Sequence, residues 1–167
     1  MHRFQLLLVL VLMGANAARA EWSVVVHTDV DSARETRVAY TENPDGYSLE
    51  VYLDSNGAIR SRFSTNKVEQ RLSTSMCPTY QIDDRLISNR SINEARCLAE
   101  RQWAEFVLGY VKEQKVESRA LNAVKNGQAV TYRFILETGG YDETRFSLSG
   151  SSRALTAALG DLDVTAP

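Results

Sequence analysis

The chain has 167 residues, 44% of them apolar and 24% charged, a composition that excludes fibrous and disordered classes. Nineteen basic against 21 acidic residues give a net charge of −2, too balanced to favour nucleic acid or an anionic membrane as partner. Two cysteines and two histidines leave little material for a metal site or a bound cofactor, and none is expected.

Residues 1–20 have the pattern of a signal peptide. Arg3 supplies the positive start, Phe4 to Met13 is a nearly unbroken apolar run, and Ala18-Arg19-Ala20 is a small-x-small cleavage site. The run is shorter than the roughly 18 apolar residues a membrane span requires. No cysteine follows it, which excludes a lipid-anchored mature N-terminus. The expectation is cleavage after Ala20, export to the periplasm and a single mature domain over residues 21–167.

Export changes how Cys77 and Cys97 read. In an oxidising compartment an even count favours a disulfide. Closing a loop of about 20 residues would contribute roughly 3 kcal/mol by limiting the unfolded chain. The alternative is a redox or metal-binding pair, for which His27, the sole histidine beyond the leader, stands 50 positions from Cys77.

The first half of the mature chain reads as strands. Trp22-Ser-Val-Val-Val-His27 is a β-branched run, and residues 36–41 form a second segment. Asn43-Pro44-Asp45-Gly46 is a turn, Pro presetting φ and Gly accepting a positive value. Next, Tyr47, Leu49, Val51 and Leu53 alternate with Ser48, Glu50 and Tyr52, and Ile59, Ser61 and Phe63 alternate with Arg60, Arg62 and Ser64. A two-residue loop would point the arginines into the core. A three-residue loop, Ser55-Asn56-Gly57, instead pairs Leu53 with Ile59 and Leu49 with Phe63, and sets Glu50 opposite Arg62 and Tyr52 opposite Arg60.

In the middle, Ser91-Ile-Asn-Glu94 has the form of a capping box, with Ala95, Leu98, Ala99, Trp103 and Phe106 at helical spacing. This predicts the longest helix, over residues 91–103. Periodicity leaves residues 106–111 open between helix and strand. A short helix is expected at 118–124, stopped by Asn126-Gly127. Val130, Tyr132, Phe134 and Leu136 then alternate with polar residues, Gly139-Gly140 turns the chain, and Phe146 and Leu148 alternate on the return. Ser152 is expected to cap a last helix, 152–159, ended by Gly160. The sum is an α+β domain dominated by antiparallel sheet.

Chemistry is harder to find. One mature histidine at a strand end gives no base for a nucleophile, and no Gly-x-Ser-x-Gly, phosphate-binding loop or zinc motif occurs. Asp83-Asp84 is the adjacent carboxylate pair from which a hydrolase would be built, set against a reading as two solvated acids in a turn. Asn89-Arg90-Ser91 has the form of a glycosylation sequon. The candidate surface is Tyr52, Arg60 and Arg62, joined by Arg71 from an adjoining strand. It reads either as a basic stripe for an acidic partner or anionic polysaccharide, or as charges paired with Glu50 and Glu69.

The C-terminal third carries a resemblance. Leu121-Asn-Ala-Val-Lys-Asn-Gly-Gln128, then a strand, then Phe146-Ser-Leu-Ser-Gly-Ser-Ser-Arg-Ala-Leu155 resembles the invasion-associated locus B family of exported bacterial proteins, over residues 121–159. The resemblance implies a β-sandwich-like periplasmic protein and supplies no catalytic residue to carry over. The functional expectation is a non-catalytic accessory or binding protein acting on another envelope protein or a glycan. Its alternatives are an envelope hydrolase using Asp83 and Asp84, and a purely structural envelope protein.

Overall fold

Alternation of apolar and polar residues builds the central hairpin. In the computed structural model, which describes residues 21–28, 34–87 and 97–166, strand β3 (Tyr47–Leu53) pairs antiparallel with β4 (Ala58–Thr65). Leu53 stands opposite Ile59, Leu49 opposite Phe63, Glu50 opposite Arg62 and Tyr52 opposite Arg60. The three-residue loop sets this register: Asp54 N–H donates to Ala58 O at 2.9 Å, and Gly57 takes φ +79°, a value that costs a residue with Cβ.

Around this hairpin grows a six-stranded antiparallel sheet. β1 (Ser23–Thr28) pairs β2 (Glu35–Glu42), which pairs β3, while β4 continues to β7 (Trp103–Tyr110) and β7 to β6 (Cys97–Ala99). The second layer holds β5 (Thr79–Ile82), β9 (Ala129–Ile135) and β10 (Tyr141–Ser147), ordered β10-β9-β5 and also antiparallel. Two helices complete it. α1 (Arg119–Asn126) precedes β9, and α2 (Ser151–Leu159) follows β10 and lies against β1, β2 and β3. A parallel pair, β8 (Lys115–Glu117) with β11 (Asp163–Thr165), closes one end. This is the expected α+β architecture with a sandwich-like sheet core.

Phe63 sits at the centre of the core, fully buried. Its ring stacks on Tyr132 of β9 at 4.7 Å and on Tyr47 at 5.6 Å, with Phe134 and Phe146 at 5.2 and 6.2 Å. Such ring pairs add about 0.5–1.5 kcal/mol each beyond the area they bury. Two polar ties fix the layers at their margins. Trp22 Nε1 donates to Ser147 O at 2.8 Å, and Asn43 Nδ2 donates to Thr144 Oγ1 at 2.7 Å.

Two expectations change, and a segment left open is decided. The helix over 91–103 is absent where it is described: residues 97–99 are β6 and Trp103 opens β7, while residues 91–96 lie outside the described residues. Tertiary pairing wins over helical spacing because β4 offers residues 103–110 a ladder, with one irregularity at Leu108, and β7 in turn pairs residues 97–99; this also makes 106–110 strand. The apolar residues divide between two faces, Ala104 and Phe106 inward, Trp103 and Leu98 outward. Last, Ser152 does not cap α2. Gly150, at φ +89°, holds the N-cap position, and the buried Ser151 hydroxyl donates to Val124 O at 2.7 Å, tying α2 to α1.

Candidate functional site

On the outer face of the six-stranded sheet, strand register places Glu50 and Tyr52 of β3 beside Arg62 and Arg60 of β4, and Arg62 beside Glu105 of β7. Glu105 is the hub. Its Oε1 accepts Arg60 Nη1 at 2.8 Å, and its Oε2 accepts Arg62 Nη2 at 2.8 Å, Arg62 Nε at 3.1 Å and the Tyr52 hydroxyl. Arg60 Nε also donates to Asp54 Oδ2 at 2.6 Å, and Arg62 Nη2 to Tyr52 Oη at 3.1 Å. The Arg62 guanidinium lies between two rings, 4.8 Å from the Trp103 centroid and 5.6 Å from that of Tyr52.

The electrostatics follow from these contacts. Burial pushes the Glu105 carboxyl up, but hydrogen bonds from Tyr52 and Arg62, with the charge of Arg62, outweigh it and hold the group below the ordinary carboxylate range. Burial, then the bond to Glu105, raises the Tyr52 phenol. Glu105 is therefore ionised, saturated with donors and unsuited to accept a proton. Arg60 and Arg62 form their ion pairs with Asp54 and Glu105; Glu50 adds only its charge to Arg62 from across the strands, and Glu69 forms no ion pair with either among the described residues.

Beside this network is a cleft of about 320 Å³, lined by His27, Thr28, Thr36, Val38, Glu50, Tyr52 and Arg62. Val38 is buried and forms an apolar floor. Glu50 faces Arg62 across the strands, yet the guanidinium turns to Glu105. The contact formed by the Glu50 carboxylate is with His27 Nε2 at 3.7 Å. Among the described residues, no hydrogen bond to Glu50 and none from Arg62 Nη1 is seen. Carboxylate and guanidinium thus keep capacity for a guest.

Other candidates lie elsewhere. Arg71 is not on a strand beside β4; it stands 3.9 Å from Glu137, which also pairs with Arg101 at 3.2 Å. Tyr52, Arg60 and Arg62 come together, and Arg71 does not join them. Asp83 and Asp84 follow β5 in a turn, as expected, but Asp83 is not simply solvated. Its carboxylate accepts Gln128 N at 3.0 Å and Ala129 N at 2.9 Å, and its own N–H donates to Ala129 O at 3.0 Å. It caps the start of β9. His27 is exposed at the sheet edge. No group of three or more metal-ligating side chains converges among the described residues.

Cys77 and Cys97 form a disulfide, their Cα atoms 6.2 Å apart. No helix among the described residues is long and apolar enough to cross a membrane. Glu105 was missed in the sequence. Its signal was a lone acid in the apolar run Trp103–Tyr110, with two arginines at alternate positions of another strand lacking enough acids.

A scan against protein-family models, a search of curated proteins and a search of solved structures return no match.

Proposed function

We propose that this is an exported periplasmic protein of the bacterial envelope, a non-catalytic accessory or binding module whose binding face is the outer side of the six-stranded sheet. The observation that carries it is the cleft beside the Glu105 network. A hydrogen-bonded frame holds Arg62 and Tyr52 beside Glu50 around an open concavity, the design of a recognition site rather than of proton transfer. The leader-like residues 1–20 and the disulfide support export. The likeness to the invasion-associated locus B family belongs to the same proposal, and α1, the end of β10 and α2 hold most of the residues that carry it. Asp83, spent on backbone N–H groups, weighs against the hydrolase reading.

The test is retention of an envelope component by the immobilised mature chain. Retention should be lost in Thr36→Arg, which fills the cleft, and kept in Arg71→Ala, which lies away from it. An extract that leaves nothing behind, or retention indifferent to Thr36→Arg, would refute the reading.

A further inference from the structure

We infer that the cleft takes a neutral sugar ring, held through a pair of adjacent hydroxyls; this rests on the binding reading above and gives it a ligand class. Charge comes first. Arg60 and Arg62 face Asp54 and Glu105, so the two guanidiniums bring no excess positive charge to the cleft. Glu50 adds a third carboxylate to these two, opposite Arg62 and 3.7 Å from His27, so the cleft carries one excess negative charge unless His27 is protonated. An anionic guest would meet three carboxylates, Asp54, Glu105 and Glu50, against two guanidiniums, and the Glu50 side chain is 17% exposed. A neutral guest meets no such penalty.

Donor and acceptor chemistry points the same way. A carboxylate accepts two parallel O–H donors from adjacent hydroxyls, and a guanidinium donates to hydroxyl oxygen, so Glu50 and Arg62 Nη1 together satisfy both roles of a diol. The Thr28 and Thr36 hydroxyls, which donate or accept, line the same wall. The half-buried Tyr52 ring supplies apolar surface on which the C–H face of a sugar ring rests, with the buried Val38 beneath. A purely apolar guest would strand Glu50 without a partner. The frame costs little to organise, because Tyr52 and Arg62 are already fixed by Glu105.

Backbone amide shifts measured by NMR on the mature chain test this. Cellotetraose, neutral with adjacent hydroxyls on its rings, is titrated to roughly 10 mM, beside tetragalacturonate, which carries a carboxylate on every ring. Cellotetraose should move amides at His27, Thr36, Glu50, Tyr52 and Arg62, with tetragalacturonate weaker by about ten-fold. Glu50→Gln, nearly isosteric, should weaken cellotetraose by about ten-fold or more, Thr36→Arg should abolish the shifts, and Arg71→Ala should leave them unchanged. Unmoved cleft amides with cellotetraose, stronger binding of tetragalacturonate, or full binding by Glu50→Gln would each overturn the inference. If the immobilised protein still retained an envelope component in a Thr36-dependent way, the sugar would be wrong and the binding face right.

Discussion

Cys77 lies two residues before β5, the edge strand of the three-stranded sheet, and Cys97 opens β6, the edge strand of the six-stranded one. Their bond therefore joins the two layers along one open side of the sandwich. β6 is short, and its ladder to β7 spans three residue pairs. So few backbone bonds hold an edge strand weakly against fraying.

Loss of this bond should cost the same from either end. Cys77→Ser, Cys97→Ser and the double variant are each expected to lose about 2–4 kcal/mol, the loop of 20 residues setting the scale. Urea melts under oxidising conditions measure it, and hydrogen exchange should show β5 and β6 opening before β3 and β4. Single variants that differ from the double by more than the error would mean that the thiols do something else.

Glu105→Gln should destabilise the sheet by about 2–3 kcal/mol, since Arg60 and Arg62 lose a partner that is itself 7% exposed while they keep some solvent. The pH sign follows from the lowered carboxyl. In the folded state Glu105 titrates below its unfolded value, so its contribution is present above about pH 4.3 and is lost as pH falls through the folded value. The gap between wild type and Glu105→Gln should shrink in acid. A gap constant from neutral pH down to about pH 3 would contradict the assignment.

How far the sequence reveals this fold is clearest in the β3–β4 hairpin. There two-residue alternation and a loop with one glycine determine register to the residue pair, because a one-residue slip would bury Arg60 and Arg62. Residues 130–136 and 146–148 were legible for the same reason. Residues 97–103 were not: Leu98, Ala99 and Trp103 fit a helix stripe by spacing alone, and the ladders that override it come from β7 for Leu98 and Ala99 and, for Trp103, from β4, some forty residues earlier. The site was half legible. Tyr52, Arg60 and Arg62 share a face by parity, but Glu105 reaches them through a β4–β7 pairing that no local pattern announces.

Asp83 and Gly127 provide a test of local packing at the start of β9. A Cβ on Gly127 would stand 2.6 Å from Ala123 O and 2.8 Å from Ile82 Cγ2, so Gly127→Ala must displace either α1 or the β5 turn. Asp83→Ala would leave the N–H groups of Gln128 and Ala129 without their acceptor. Each is expected to cost about 1–3 kcal/mol. Because both act on the same junction, the double variant should lose less than the sum of the two. Strict additivity in denaturant melts would show the two contacts to be independent.

Tyr47 should govern the alkaline limit. Its buried hydroxyl donates to Gln70 Oε1 at 2.7 Å and approaches Asp142 Oδ2 at 3.3 Å, and its ring packs on Phe63. Burial, then the negative charge and hydrogen bond of Asp142, push the phenol from 10.0 up to about 12. A raised folded value means that this contribution is whole below about pH 10 and is lost as pH climbs toward 12. Tyr47→Phe keeps the ring but not the proton. It should cost about 1 kcal/mol at neutral pH through the lost hydrogen bond. As pH rises past 10, wild type pays to keep Tyr47 neutral and the phenylalanine variant does not, so the gap between them should narrow. Urea melts at about pH 7 and about pH 11 measure it. A gap that widens with pH would mean the Tyr47 hydroxyl ionises more readily in the fold than in the unfolded chain, and would reverse the sign assigned to Asp142.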